Sequence, residues 1–281
     1  MSVQPATATG SDIGLSTYAY FWRMSERAPA PMTLDDVLRD TAAQGVTLFQ
    51  VCDHLPLDTA SDERLAEIRA LADDLGITLE VGTRGTREDH LERYLHVAEA
   101  LGATLVRSMW TSGDDRPDAA EQRRRLRAVL PRYEAAGVTL ALETYEQVSS
   151  AELVDLVAQI DSPALGICLD PANTVANLEH PDDVVARCAP WTRSWHVKDF
   201  GFTRTDGWVG FHYTGVPTGT GRLDYAGIRR VLRPAERGIN QVIEFWLPWQ
   251  DAAAGETDAE TTVRTEQEWT TLTIEYLRSR S

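Results

Sequence analysis

Short apolar runs recur along the chain, separated by stretches in which apolar residues return every three or four positions. The runs are 13–18 (IGLSTY), 46–52 (VTLFQVC), 77–82 (ITLEVG), 104–109 (TLVRSM), 139–144 (TLALET), 165–169 (LGICL), 193–198 (RSWHVK) and 240–245 (NQVIEF). Their length and β-branched content predict eight strands. The intervening segments, such as LDDVLRDTAAQG, DERLAEIRALADDLG and LERYLHVAEALG, carry the period of amphipathic helices. Gly45, Gly76, Gly102 and Gly137 stand just before strands, where a helix C-cap adopts the left-handed conformation.

This alternation predicts an α/β fold, a (β/α)8 TIM barrel in a single domain over 13–281, with 1–12 as a flexible N-terminal tail. An open doubly wound sheet is the competing arrangement. However, no G-x-G-x-x-G follows an early strand, and GTRGTRE at 82–88 has the wrong glycine spacing. DAAAGETDAE at 251–260 reads as a loop before a last helix near 262–278. The Gly- and aromatic-rich segment 201–222 is long for a βα connection and reads as a lid.

Functional side chains of such a barrel sit at the C-terminal ends of strands, and alternate residues face the axis. In the last four runs one parity is bulky and apolar: Leu140 and Leu142, Ile167 and Leu169, Trp195 and Val197, Ile243 and Phe245. The other parity ends in Glu143, Asp170, His196 and Glu244, which places three carboxylates and an imidazole at one end of the barrel. Carboxylates converging in a partly dry cavity repel one another, and a divalent cation offsets that cost. Oxygen-rich ligation with one imidazole suits Mn²⁺ first, with Mg²⁺, Co²⁺ or Zn²⁺ as alternatives.

Around these four, Lys198 shares the axis-facing parity and can hold a substrate oxygen or balance a carboxylate. Asp199 has the opposite parity and can orient a ligand from behind. Arg107 and Trp110 end strand four, His54 follows strand two, Glu146 and Asn173 lie just beyond two of the carboxylates, and His212 lies in the long segment. These last six, with Lys198, are candidates for substrate contact. Trp22, Trp110, Trp246 and Trp249 lie near strand ends, where rings can stack on a sugar face, although ordinary packing is the commoner reason for them.

Charge narrows the partners. A net charge of −16 argues against nucleic acid, and RRRLR at 123–127 reads as a solvated helix face. Cys52, Cys168 and Cys188 form no metal or disulfide pattern, which suits a reducing cytoplasm. No apolar run is long enough for a membrane helix, and the N-terminus has no signal-peptide pattern. The expectation is a cytoplasmic protein acting on a small molecule, with homo-oligomer formation left open.

In LALETYE, GICLDPANT, SWHVKD and GTGRLDYAGIRRVL followed by INQVIEF, the chain resembles the xylose isomerase-like TIM-barrel superfamily, and especially its sugar phosphate isomerase/epimerase branch. The resemblance runs from the first strand to the last helix. It implies that Glu143, Asp170, His196 and Glu244 ligate the metal. It also implies that Glu143 and Glu244 move protons through an enediolate in isomerising or epimerising a sugar or sugar phosphate. Two positions depart from the branch pattern. Asn173 stands where ketose epimerases often carry His, and Lys198-Asp199-Phe200 replaces a segment that carries Arg. A metal-dependent lyase or dehydratase on a keto-sugar or related polyol uses the same constellation and is the alternative. An endonuclease-branch or non-catalytic sugar-binding barrel fits the charge and the complete ligand set less well.

Overall fold

The structure, a computed structural model, describes residues 12–280. The expected N-terminal tail, Asp12 apart, lies outside the described residues. In chain order the elements are β1 (Ile13–Ser16), α1 (Leu34–Ala43), β2 (Leu48–Cys52), α2 (Leu55–Asp58), α3 (Asp62–Leu75), β3 (Thr78–Gly82), α4 (Glu88–Leu101) and β4 (Leu105–Ser108). There follow α5 (Ala119–Ala136), β5 (Thr139–Glu143), α6 (Ser150–Ile160), β6 (Leu165–Leu169), α7 (Pro181–Cys188) and β7 (Thr192–Val197). The chain then forms β8 (Asp199–Arg204), β9 (Phe211–Val216), α8 (Tyr225–Leu232), α9 (Pro234–Arg237), β10 (Asn240–Ile243) and α10 (Asp258–Arg278).

Strands β1 to β7 and β10 close a parallel barrel, with β10 between β7 and β1. Local chemistry sets the element ends. Thr33 and Ser149 close capping boxes on α1 and α6. Gly102 ends α4 at a φ of 68°, a conformation that a Cβ would strain. The last helix begins earlier than its periodicity predicts, because Thr257 and Glu260 form a capping box on residues read from the sequence as loop.

The long segment after β7 also differs from a simple connection. It pairs Asp199 with Val216 through Arg204 with Phe211, forming an antiparallel hairpin outside the barrel. Phe200, Phe202 and Tyr213 pack edge-on or tilted within it at centroid distances of 4.9–5.8 Å.

Bulky side chains fill the space between the barrel and the helices in one large cluster that includes Leu140, Leu142, Ile167, Leu169, Trp195, Val197 and Ile243. A second apolar cluster, Leu105, Ala141 and Cys168, belongs to the opposite parity and lies on the barrel axis. Leu48 and Val242 share that parity, and beside them the buried axis is polar, with Ser16, Gln50, Glu80, Ser194 and His196 at 0–3% exposure. Unpaired, such groups are costly to bury, so their partners define the site.

Candidate active site and metal centre

Parity and register bring the four expected residues together. Val242 pairs with His196 across β10 and β7, and Glu244 extends that ladder by donating its N–H to Val197 O at 3.1 Å. His196 Nδ1 then lies 3.5 Å from Glu143 Oε1, 4.0 Å from Asp170 Oδ2 and 3.4 Å from Glu244 Oε2. One ligand atom from each of the four lies within 4.8 Å of all the others.

The imidazole is set by a chain of amides below it. Asn240 Nδ2 and Gln50 Nε2 each donate to Glu80 at 2.8 Å, which turns Gln50 Oε1 toward His196 Nε2, also at 2.8 Å. In this arrangement Nε2 carries the proton, and the Nδ1 lone pair faces the carboxylates. Nδ1 is buried and has no hydrogen-bond partner. An unpaired imidazole nitrogen amid three carboxylates is a donor set that fits a divalent cation.

Two basic side chains divide the carboxylates between them. Lys198 Nζ lies 2.8 Å from Asp170 Oδ2 and 3.0 Å from Glu244 Oε2, and 4.6 Å from the Trp246 ring centroid. Burial works against the ammonium, but Asp170, Glu244 and Glu143 hold its pKa above the usual range. Arg107 ion-pairs through Nε with Glu143 Oε2, while Asn173 Nδ2 donates to Glu143 Oε1 at 2.7 Å. Burial raises the Glu143 carboxyl, yet Arg107, then His196 and Lys198, outweigh it and hold it below the carboxylate range. For Asp170, burial dominates over Lys198 and its pKa is raised.

Among the expected substrate contacts, the structure brings Arg107, Asn173 and Lys198 into this cluster. Glu146 is exposed at its edge, where burial and then Glu143 raise its carboxyl. His54 holds the N-cap position of α2 without a side-chain capping bond and lines a cavity of about 350 Å³ with Tyr18, Phe21 and Asp53. Trp110 is packed in the large apolar cluster and donates Nε1–H to Pro117 O at 2.9 Å. His212 is exposed on β9 opposite Thr203. Trp22 packs at 5.0 Å on Trp249 and donates to Leu247 O, away from the four residues.

Asp199 is engaged differently from its expected role behind a metal ligand. Its carboxylate accepts backbone N–H bonds of 2.8–3.1 Å from Phe200, Gly219, Gly221, Arg222 and Leu223. It therefore ties the glycine-rich loop beneath the hairpin to the residue that follows Lys198. Gly221 is required there: a Cβ would stand 2.4 Å from Phe200 O.

A second group escaped the sequence reading. Asp53, Arg84 and Tyr18 follow β2, β3 and β1. Tyr18 Oη donates to Asp53 Oδ2 at 2.7 Å and accepts from Arg84 Nη2 at 2.6 Å. Arg84 Nε lies 3.0 Å from the same Asp53 oxygen. Arg107 Nη1 reaches Asp53 at 3.2 Å, so one arginine joins this triangle to Glu143. Asp53 has a φ of 51°, a left-handed conformation uncommon for a residue other than glycine.

Fold and site together define a (β/α)8 barrel with an acidic, imidazole-containing centre at the C-terminal ends of its strands. The family model for the xylose isomerase-like TIM barrel matches residues 37–272, and the chain belongs to that family. It is 48% identical over 269 residues to a 3-oxo-isoapionate decarboxylase of Pectobacterium atrosepticum, covering 96% of both chains. Two solved structures share the fold. A xylose isomerase-like TIM-barrel protein from Mycobacterium smegmatis in complex with magnesium is 18% identical, with a TM-score of 0.68 over 96% of this chain and 99% of that one. A D-psicose 3-epimerase from Clostridium cellulolyticum H10, solved with D-tagatose, is 17% identical, with a TM-score of 0.69 over 94% of this chain and 98% of that one. Among the described residues, no helix is long and apolar enough to cross a membrane.

Proposed function

We propose that the protein is a divalent-metal-dependent lyase that decarboxylates a 3-oxo sugar acid. The observation that carries this reading is the 48% identity to a 3-oxo-isoapionate decarboxylase over nearly the whole of both chains. A 3-oxo acid carries its ketone β to the carboxylate. When the bond between C1 and C2 breaks, carbon dioxide leaves, and the electron pair passes into an enolate spanning C2 and the ketone.

Glu143, Asp170, Glu244 and Nδ1 of His196 are the residues that would hold the cation. Once bound, the cation supplies Lewis-acid polarisation of the ketone and neutralises developing negative charge. Lys198 Nζ, held 2.8 Å from Asp170 Oδ2 and 3.0 Å from Glu244 Oε2, gives its proton to C2 of the enolate and regains one from water as product leaves. Tyr213, Trp246 and the hairpin form an aromatic wall beside Lys198, which limits water near the enolate.

The geometry is less suited to two-base isomerisation or epimerisation, which the sequence resemblance implies for Glu143 and Glu244. Glu143 is occupied on both oxygens by Arg107 and Asn173 and is held ionised as a low-pKa carboxylate, so it is a poor proton acceptor. Decarboxylation needs no base at carbon and a single proton donor, which Lys198 supplies.

The test uses metal-loaded protein and a 3-oxo sugar acid labelled with ¹³C at its carboxylate, in D₂O. Labelled carbon dioxide and one deuterium at the former C2 are expected. Deuterium exchange into ketoses without carbon dioxide release would instead assign the protein to the epimerases.

A further inference from the structure

The two halves of the barrel mouth carry different chemistry. The acidic centre stands over β5, β6, β7 and β10. The half over β1 to β4 carries the Tyr18–Asp53–Arg84 triangle. We propose that Arg84 is the carboxylate-binding residue of the substrate site and selects sugar acids over neutral sugars. This assignment rests on the reading of the substrate as an acid.

A protein of net charge −16 repels an anionic substrate at its surface unless a basic group at the mouth of the site offsets that field. Lys198 is already compensated by Asp170 and Glu244, and Arg107 by Glu143 and Asp53; their side chains are 5% and 3% exposed. Arg84 differs: its side chain is 48% exposed. Its contacts use one edge of the guanidinium, with Nε on Asp53 and Nη2 on Tyr18. The end-on edge, formed by Nη1 and the second Nη2 proton, has no partner among the described residues. That edge matches the two oxygens of a carboxylate.

Arg84 is also held in place. The triangle closes on itself, and Arg107 fixes its Asp53 corner to Glu143. A continuous chain of ion pairs, Arg84 to Asp53, Asp53 to Arg107 and Arg107 to Glu143, places Arg84 at the same end of the barrel as the acidic centre. A ligand with a carboxylate at one end and keto or hydroxyl oxygens at the other can therefore bridge the two halves.

A cation beside the departing carboxylate loses its partner as carbon dioxide forms. Its stabilisation is larger in the ground state than in the transition state, so it acts in capture and register and not on the barrier. Arg84→Gln is therefore expected to raise KM for the 3-oxo acid about tenfold or more while kcat holds or rises. Arg84→Lys, which keeps the charge but not the fork, is expected to fall between the two.

Calorimetry on the metal-loaded protein separates this inference from the decarboxylase reading. The probes are an aldonate and the alditol of the same carbon skeleton. In Arg84→Gln, aldonate binding should weaken about tenfold or more and alditol binding should not change. Equal aldonate affinity in wild type and variant, or parallel loss of both ligands with a lowered Tm, would overturn the assignment. Arg84-dependent aldonate binding in a wild-type protein that releases no carbon dioxide would uphold the carboxylate subsite and reject the decarboxylase.

Discussion

Nε2 of His196 meets Gln50 Oε1 at 2.8 Å, although the two residues are 146 positions apart and lie on β7 and β2. This contact decides which imidazole nitrogen faces the carboxylates. Groups that orient a metal-ligating histidine commonly change metal affinity by 10–100-fold. Gln50→Leu is therefore expected to weaken Mn²⁺ binding by about that range. Titration calorimetry on protein stripped by a chelator checks it, and unchanged affinity would show that the ring is oriented by packing alone.

Glu244 touches both Lys198 and Ser16, the latter through a 3.3 Å hydrogen bond. As metal ligand and as the carboxylate that holds the Lys198 ammonium, it is indispensable to turnover. Glu244→Gln preserves its size and is expected to lower kcat by about 100-fold or more. Circular dichroism should show the barrel intact. Substantial residual turnover would show that neither the cation nor Lys198 depends on this carboxylate.

Asp199 concentrates five backbone donors on one buried carboxylate. Asp199→Ala leaves those N–H groups without a partner and is expected to cost about 2–4 kcal/mol. Hydrogen exchange should rise first in residues 217–223, since the hairpin and its loop open more readily than the barrel. Uniform exchange across the barrel would place the role of Asp199 elsewhere.

Asp53 gives the protein a component of acid sensitivity. Burial raises its carboxyl, but Arg107, Arg84 and Tyr18 outweigh burial and hold its pKa below the usual range. A carboxyl lowered on folding contributes stability that is full above the unfolded value of about 3.9 and is lost as pH falls through the folded value. Asp53→Asn should therefore be less stable than wild type at pH 7, by about 1–3 kcal/mol, with the gap closing below about pH 4. Urea unfolding across that range tests the sign. A gap that widened in acid would contradict it.

The barrel and its acidic centre were legible because strand parity is a strong constraint. Leu140, Leu142, Ile167 and Trp195 had to face the helices, which sent Glu143, Asp170 and His196 to the axis. Gln50 and Glu80 carried the same signal as polar residues inside VTLFQVC and ITLEVG, but His196, the partner of Gln50, and Asn240, a partner of Glu80, lie across the barrel. The left-handed backbone at Asp53 left no local trace, since neither neighbour is a turn-forming glycine. Asp199 was harder still, because its partners are main-chain groups about twenty residues onward, invisible to side-chain pattern. Trp110 shows the converse: a ring near a strand end reads equally as a sugar platform or as packing, and here it is packed.

The most direct measurement is anomalous scattering from a crystal soaked in Mn²⁺ near the metal's absorption edge. One strong peak is expected at bonding distance from Nδ1 of His196 and from one oxygen each of Glu143, Asp170 and Glu244. A peak elsewhere, or none while those four side chains keep their positions, would contradict the metal centre on which the proposed chemistry depends.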